Sequence, residues 1–232
     1  MCGRFTITVS IEELMMRYMI EGDVLIPYHV PRYNVAPSQS VLAVIHDGEK
    51  NKLGELQWGL IPPWADSPKT GLSMINARSE SAAAKPAFKT ALRRKRCIIP
   101  ADGFYEWQTT SSGKQPMRIV RKDRGIFSMA GLYETWTSGD GARISSCTIL
   151  TTAPNELMAP IHDRMPVILR REDEPHWLDR RIVEPGQLEQ LLKPYAAGEL
   201  EAYPVAAAVG NARRDNADCI EPIQLDEQLG LW

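Results

Sequence analysis

Residues 97–151 read CIIPADGFYEWQTTSSGKQPMRIVRKDRGIFSMAGLYETWTSGDGARISSCTILT, and this stretch decides the fold. Segments rich in β-branched and aromatic residues predict strands at 97–100, 103–108, 117–121, 126–136 and 143–151. Turn residues separate them: Ser-Ser-Gly at 111–113, Asp-Arg-Gly at 123–125 and Ser-Gly-Asp-Gly at 138–141. Because hairpin follows hairpin, the stretch predicts antiparallel sheet rather than β-α-β units.

The flanking sequence predicts further strands and a few helices. Strands are expected at 4–9, 41–45, 53–60 and 202–209, and residues 73–78 are expected to be extended. One helix begins after Ser10, where Ser10 and Glu13 fit a capping box, and others are expected at 86–94, 173–178 and 185–192. Residues 22–40 are punctuated by prolines and predict a loop. No linker or repeat divides the sequence, so we expect one domain over residues 1–232.

Composition limits the classes of protein to consider. Of 232 residues, 44% are apolar and 24% are charged, as in globular proteins. No run approaches the roughly 18 apolar residues of a membrane helix, and no signal peptide is evident, so a cytoplasmic protein with reduced cysteines is expected. The cysteines show neither a CxxC pair nor zinc spacing with the histidines, so neither a metal nor a cofactor is expected. With a net charge of −2, DNA binding would require a local, shaped site.

The N-terminus, Met1-Cys2-Gly3-Arg4-Phe5, offers unusual chemistry. Removal of Met1 would leave Cys2 with a free α-amine and a thiol on neighbouring carbons. The amine condenses with an aldehyde, and the thiol then closes on the imine to give a thiazolidine ring. An α-amine is also unprotonated about 300-fold more often than a lysine at pH 7. The alternative is an ordinary buried cysteine.

Three other residues are candidates for a site. Trp64 follows two prolines on a stiff loop, where it would stack on a base or fold back onto the core. Glu106 is flanked by aromatic residues, which would raise the pKa of its carboxyl; the alternative is an outward-facing position on the strand. His162 precedes a predicted strand and could act as acid or base near pH 7. Nucleotide-binding loops, GxSxG and HExxH are absent.

Seven segments in order resemble one family. They are MCGRF at 1–5, RYNVAP at 32–37, WGLIPPW at 58–64, NAR at 76–78, PADGFYEW at 100–107, IHDRMPVIL at 161–169 and AVGN at 208–211. On these, the chain resembles the SRAP family, the SOS-response-associated peptidases or abasic-site processing proteins. The resemblance implies a single-domain α+β fold of twisted antiparallel sheets in an open, barrel-like arrangement with flanking helices. It also implies a basic groove for single-stranded DNA and a covalent reaction with the ring-opened aldehyde of an abasic site.

The family's roles fall on residues of this sequence. The resemblance implies that Cys2 is the nucleophile and that Asn76 orients it. Glu106 would promote opening of the sugar ring and relay protons, and His162 would act as acid or base, including in reversal of the crosslink. The implied DNA contacts are the phosphate-binding Arg4, Arg78 and Arg164, the base-packing Pro37 and Trp64, and Thr151. One departure is Ala65, where the bacterial pattern often has a second aromatic residue.

The resemblance also implies several properties of the whole protein. Peptidase activity could be limited to removal of Met1, either self-catalysed or by an aminopeptidase. Lyase activity follows because an imine at an abasic site eases β-elimination, whereas the thiazolidine shields the lesion from strand breakage. We expect a monomer in the cytoplasm, associated with the nucleoid when it is bound to single-stranded DNA that contains abasic sites.

Two alternative functions start from the same residues. One is an N-terminal-nucleophile glutamine amidohydrolase, a class that also begins Met-Cys-Gly but usually continues with an aliphatic residue where this chain has Arg4. The other is a non-catalytic reader of single-stranded or modified DNA, which would use the basic and aromatic loops alone. Ammonia release from glutamine would identify the first, and failure to crosslink would favour the second.

Overall fold

A computed structural model describes residues 2–21 and 29–224. In chain order, the strands are β1 Phe5–Ile7, β2 Arg32–Val35, β3 Ser40–His46, β4 Asn51–Trp58, β5 Asn76–Arg78, β6 Arg96–Ala101, β7 Gly103–Thr110, β8 Gly113–Arg121, β9 Phe127–Thr137, β10 Arg143–Thr152, β11 Met165–Pro166, β12 Ile168–Leu169 and β13 Leu200–Pro204. The helices are α1 Ile11–Arg17, α2 Ser79–Ala82, α3 Lys89–Arg94, α4 Glu174–Leu178 and α5 Pro185–Glu189. Short 3-10 segments lie at Pro68–Ser73, Arg171–Asp173, Ala197–Glu199, Ala207–Gly210 and Ala217–Ile220.

The strand-rich stretch at 97–151 forms the five strands β6 to β10, as predicted. β7 pairs with β8 and β9 pairs with β10, both as antiparallel hairpins. Gly113 closes the first hairpin at φ +126°, a backbone conformation that glycine adopts without steric cost. The α+β class with hairpin-built sheets is therefore confirmed.

The larger sheet closes into a five-stranded barrel, in the order β10-β4-β3-β6-β9, with β9 returning to β10. This barrel is more closed than the open form expected from sequence. It also contains parallel pairs, because β10 runs parallel to both β4 and β5. Local patterns predict hairpins but not these pairings, since the partners lie far apart in the chain.

The second sheet has the order β13-β8-β7-β1-β2. Its edge strand β2 lies within the stretch expected to be a loop, so that prediction is wrong for residues 32–35. Its other edge, β13, begins before the predicted 202–209 and ends at Pro204, after which the chain forms a 3-10 segment. Both edge strands are short, which is one way that proteins limit pairing with other chains.

The two sheets share one hydrophobic core. Phe5 in β1 packs against Trp58 in β4, with ring centroids 5.3 Å apart, and Phe104 in β7 meets Phe127 in β9 at 6.2 Å. The cluster of buried side chains reaches Cys2 at one end of β1. The core thus fixes the chain from Cys2 to Phe5 between the sheets.

The helices lie outside the sheets and are short. α1 has the predicted capping box, because the Ser10 side chain accepts from the Glu13 N–H and the Glu13 carboxylate accepts from the Ser10 N–H. The helices predicted at 86–94, 173–178 and 185–192 appear as α3, α4 and α5 with shorter bounds. Within the described residues, no helix has both the length and the apolar character needed to cross a membrane.

Candidate active site at the N-terminal cysteine

Cys2 lies just before β1 and is wholly buried. The Asn76 Nδ2 donates a hydrogen bond to the Cys2 carbonyl at 2.8 Å. Burial is the largest effect on the Cys2 thiol and raises its pKa, whereas the backbone N–H of Arg4 lowers it. Cys2 is therefore held through its backbone carbonyl, and its thiol is protonated at neutral pH.

Asn76 comes from β5, whose backbone pairs in parallel with Ile149 to Thr151 of β10. This pairing places Asn76 beside the N-terminal residues, although the two are 74 positions apart in sequence. The Asn76 Oδ1 is buried and accepts no hydrogen bond from the described residues. An acceptor in such a place would suit an ammonium or N–H group, because a buried oxygen without a donor is costly.

Glu106 lies in β7 and is 2% exposed. Burial raises the pKa of its carboxyl to about 7, as desolvation disfavours the charged form. The Glu106 charge also raises the pKa of the Cys2 thiol, second only to the effect of burial, so the two groups are electrostatic neighbours. Near neutral pH this carboxyl is able both to donate and to accept a proton.

His162 lies beside Glu106, with 3.8 Å between the His162 Nε2 and the Glu106 Oε2. Its Nδ1 lies 3.0 Å from the Arg164 backbone nitrogen and 2.9 Å from the Asp163 Oδ1. When Nδ1 accepts from the Arg164 N–H, the neutral ring carries its proton on Nε2, the atom that faces Glu106. Burial lowers the pKa of His162, which favours this neutral form.

Two of the predicted phosphate-binding arginines lie at the end of β5 and β10. Arg78 is exposed on β5, directly opposite Thr151. Arg164 forms a bidentate ion pair with Glu80, at 2.8 and 2.9 Å, and donates to the Thr151 carbonyl at 2.6 Å. Thr151 is 1% exposed, so in this structure it holds Arg164. The DNA contacts of these three residues stay predictions.

Arg4 is turned inward. Its guanidinium donates to the Asn34 Oδ1 at 2.9 Å and to the carbonyls of Val209 and Gly210 at 2.7 and 3.0 Å. Burial lowers the pKa of Arg4. Its predicted phosphate contact would have to use the N–H groups left over from these three bonds.

Trp64 is 62% exposed on the loop that follows β4. Contacts between the two ends of this loop hold them together. The Leu60 N–H donates to the Met74 carbonyl, and Gly59 and Gly71 approach so closely that a Cβ on Gly59 would lie 2.6 Å from the Gly71 oxygen. Such contact requires glycine at both positions. The loop presents Trp64 to solvent, whereas Pro37, the other predicted base contact, is partly buried.

Ala65, the departure from the family's pattern, faces inward. It is buried with Ile61 and Trp136, and its carbonyl accepts from the Trp136 Nε1 at 2.7 Å. The small side chain at this position therefore fits under Trp136 and leaves Trp64 as the aromatic residue exposed on the loop.

Sequence reasoning missed three residues of this region: Glu80, Asp163 and Asn34. Nothing local marks Glu80 or Asp163, since an acid near an arginine or a histidine is common on protein surfaces. Asn34 has a signal, because asparagine is rare within strands and lies here between Tyr33 and Val35. Among residues 2–21 and 29–224, no cluster of three or more His, Cys, Asp or Glu could hold a metal ion.

The sequence and the fold are those of a known family. The chain belongs to the SOS response associated peptidase (SRAP) family, whose description matches residues 1–212. It is 49% identical over 225 residues to the abasic site processing protein YoqW of Bacillus subtilis, covering 95% of this chain and 99% of that one. It is 33% identical over 228 residues to the abasic site processing protein YedK of Escherichia coli, covering 96% and 100%. A crystal structure of a Bacteroides thetaiotaomicron protein, 27% identical, superposes with a TM-score of 0.86 over 96% of this chain and all of that one.

Proposed function

We propose that this protein processes abasic sites by crosslinking Cys2, after removal of Met1, to the ring-opened aldehyde of an abasic site in single-stranded DNA. The observation that carries the proposal is the hydrogen bond from Asn76 to the Cys2 carbonyl. It holds Cys2, which becomes an N-terminal aminothiol once Met1 is removed, near Glu106, whose carboxyl has a pKa of about 7. The abasic-site processing function in the names of YoqW and YedK supports the same chemistry.

The reaction has two bond-forming stages. The α-amine of Cys2 adds to the aldehyde carbon, and loss of one water leaves an imine. The thiol then adds to that carbon, its sulfur forming the C–S bond while its proton passes to the nitrogen. The product is a thiazolidine, and no oxidant or reductant is required.

The side chains around Cys2 transfer protons or orient the reacting amine. Glu106 donates a proton to the hydroxyl that leaves as water, and it later accepts the proton of the thiol and passes it to the nitrogen, because its carboxyl is present in both forms near pH 7. The Asn76 Oδ1, which accepts no hydrogen bond from the described residues, accepts from an N–H of the new N-terminal amine and directs its lone pair to the aldehyde. His162, neutral because burial lowers its pKa, exchanges protons on the Glu106 side of the site.

DNA binding in this proposal uses the surface around the site. Arg78, exposed on β5 two positions from Asn76, contacts a phosphate, and Trp64 stacks on a base beside the lesion. Single-stranded DNA fits better than duplex because a base in a duplex is already stacked on its neighbours. The proposed complex holds one protein molecule per lesion, in the cytoplasm.

Two secondary activities follow from the same intermediates. Exposure of the aminothiol requires hydrolysis of the Met1–Cys2 peptide bond, which is the peptidase step in the family's name. The imine eases β-elimination of the DNA strand, which is lyase chemistry. Closure of the thiazolidine removes the imine, so the adduct protects the lesion from strand breakage.

The test is a denaturing gel. Untagged protein is mixed with a single-stranded oligonucleotide that contains one abasic site, then heated in SDS. A shifted band is expected with wild type and with Cys219→Ala, and no band is expected with Cys2→Ala or with a tetrahydrofuran site, which lacks the aldehyde. Absence of the band with wild type, or its presence with Cys2→Ala, would overturn the proposal.

A further inference from the structure

Arg4 is fixed from three sides. Its carbonyl accepts from the N–H of Tyr105, the residue before Glu106, at 3.0 Å. It lies two residues after Cys2, and its backbone N–H acts on the Cys2 thiol by lowering its pKa. Its guanidinium reaches in the other direction, to Asn34 and to the carbonyls of Val209 and Gly210. The position of Cys2 is thus tied through Arg4, its near neighbour in sequence, to a distant part of the chain.

Asn34 is the centre of that distant part. It is 0% exposed, its Oδ1 accepts from Arg4, and its Nδ2 donates to the carbonyls of Val209, Asn211 and Arg214 at 3.0, 3.1 and 2.7 Å. An amide provides both an acceptor and donors, so asparagine satisfies a guanidinium and a set of carbonyls together. An apolar side chain of similar size would remove one of the three acceptors of Arg4 and one donor from each of these carbonyls.

Residues 209–215, the C-terminal strap, lie along the free edge of β2. Asp215 accepts from the backbone N–H groups of Tyr33 and Asn34 at 2.5 and 2.9 Å and from the Arg32 Nε at 2.5 Å. The strap thereby satisfies donors that an edge strand would otherwise leave open. Its other end supplies the carbonyls that bind Arg4.

We propose that Asn34 is a positioning residue for Cys2, and that it acts through Arg4 with the C-terminal strap as the second anchor. The proposal rests on the crosslinking function described above. Arg4 has one guanidinium with three internal acceptors, so its side chain is held in one orientation. Its backbone then holds Cys2, two residues earlier in the chain, in place for the reaction. Small errors in the position of a reacting atom slow a reaction by up to about 100-fold.

Positioning is separable from folding and from DNA affinity by single-turnover kinetics. Protein in excess over abasic DNA yields a maximal rate constant and a half-saturating concentration. Partial unfolding lowers the active fraction and leaves the maximal rate constant of folded molecules unchanged. A lost phosphate contact raises the half-saturating concentration. Misplacement of Cys2 lowers the maximal rate constant itself.

The experiment compares two variants with a matched control. Asn34→Ala removes the amide that binds both Arg4 and the C-terminal strap. Arg4→Lys keeps the positive charge but loses the planar guanidinium, whose N–H groups reach several carbonyls. Asn51→Ala removes a similar amide-to-carbonyl bond, from Asn51 to Tyr18 at 2.9 Å, away from Cys2. We expect the maximal rate constant to fall about tenfold or more in the first two variants and to stay within about twofold of wild type in Asn51→Ala.

The outcomes separate this inference from the function on which it rests. If wild type forms no adduct, the crosslinking proposal fails. If wild type reacts and both Asn34→Ala and Arg4→Lys keep its maximal rate constant, the positioning role is overturned. A rise in the half-saturating concentration of Arg4→Lys alone would assign Arg4 to phosphate binding instead. If Asn34→Ala does not fold, Arg4→Lys still decides the question.

Discussion

Replacement of Glu106 by glutamine is expected to stabilise the protein at alkaline pH. The folded protein holds the pKa of this carboxyl at about 7, against an ordinary value of 4.5, because the group is buried. The folded state therefore binds this proton more tightly than the unfolded state does. As pH rises above the unfolded pKa, the ionised carboxyl costs the folded state increasing free energy, and the cost levels off above pH 7.

The two pKa values determine the size of the effect. They correspond to a cost of about 1 kcal/mol at pH 5 and about 3 kcal/mol at pH 8. Glutamine has the same shape and no charge to desolvate, so Glu106→Gln removes most of this cost. The free energy of unfolding of the variant should exceed that of wild type by about 2 kcal/mol more at pH 8 than at pH 5.

Urea unfolding at both pH values measures this difference, and Glu80→Gln is the control. The hydrogen bonds from Arg164 lower the pKa of Glu80, so its ionised form stabilises the fold above the unfolded pKa. That variant should be less stable than wild type at pH 8, the opposite sign. An effect of Glu106→Gln that is equal at pH 5 and pH 8 would refute the raised pKa of this carboxyl and its role as a proton donor at neutral pH.

Three further predictions concern binding to single-stranded DNA with a non-reactive tetrahydrofuran site, measured by fluorescence anisotropy over a series of salt concentrations. Arg78→Ala should weaken binding and reduce the slope of log affinity against log salt by about 0.7, the value for one phosphate on a single strand. Trp64→Ala should cost about 1–3 kcal/mol of binding free energy with little change in that slope, because stacking releases no counterions. Glu80→Gln should tighten binding and steepen the slope, because it frees Arg164 for a phosphate.

Each binding prediction has its own contrary result. An unchanged salt slope would remove Arg78 from the phosphate contacts. Unchanged affinity in Trp64→Ala would mean that the exposed ring does not meet a base. Weaker binding in Glu80→Gln would show that the ion pair holds Arg164 in its binding position rather than competing with DNA.

The parts of the fold that follow from local sequence were predictable. β-Branched, aromatic and turn residues predicted the five strands at 97–151, and Ser10 and Glu13 marked the start of α1. The parallel pairs of β10 with β4 and β5 were not predictable, because they depend on how the barrel closes. The strand β2 was missed because the prolines around it favour a loop in any local reading.

The candidate site shows the same division. Glu106 was predictable from its neighbours in sequence, because the aromatic residues beside it indicate a desolvated carboxyl. The partners of the arginines carry no such signal: Glu80 lies 84 positions from Arg164, and Val209 lies 205 positions from Arg4. The residue type identifies an arginine as able to bind a phosphate. Tertiary contacts decide which of its N–H groups remain available for that phosphate.

The central claim is tested most directly by intact-mass spectrometry of the heat-stable adduct, followed by peptide mapping. We predict a mass equal to the protein without Met1 plus the abasic oligonucleotide minus one water, with the modification on the peptide that begins at Cys2. Borohydride should be unnecessary for its recovery, because the thiazolidine has replaced the imine. An adduct on an internal lysine, an adduct on protein that retains Met1, or one recovered only after borohydride reduction would contradict the proposed mechanism.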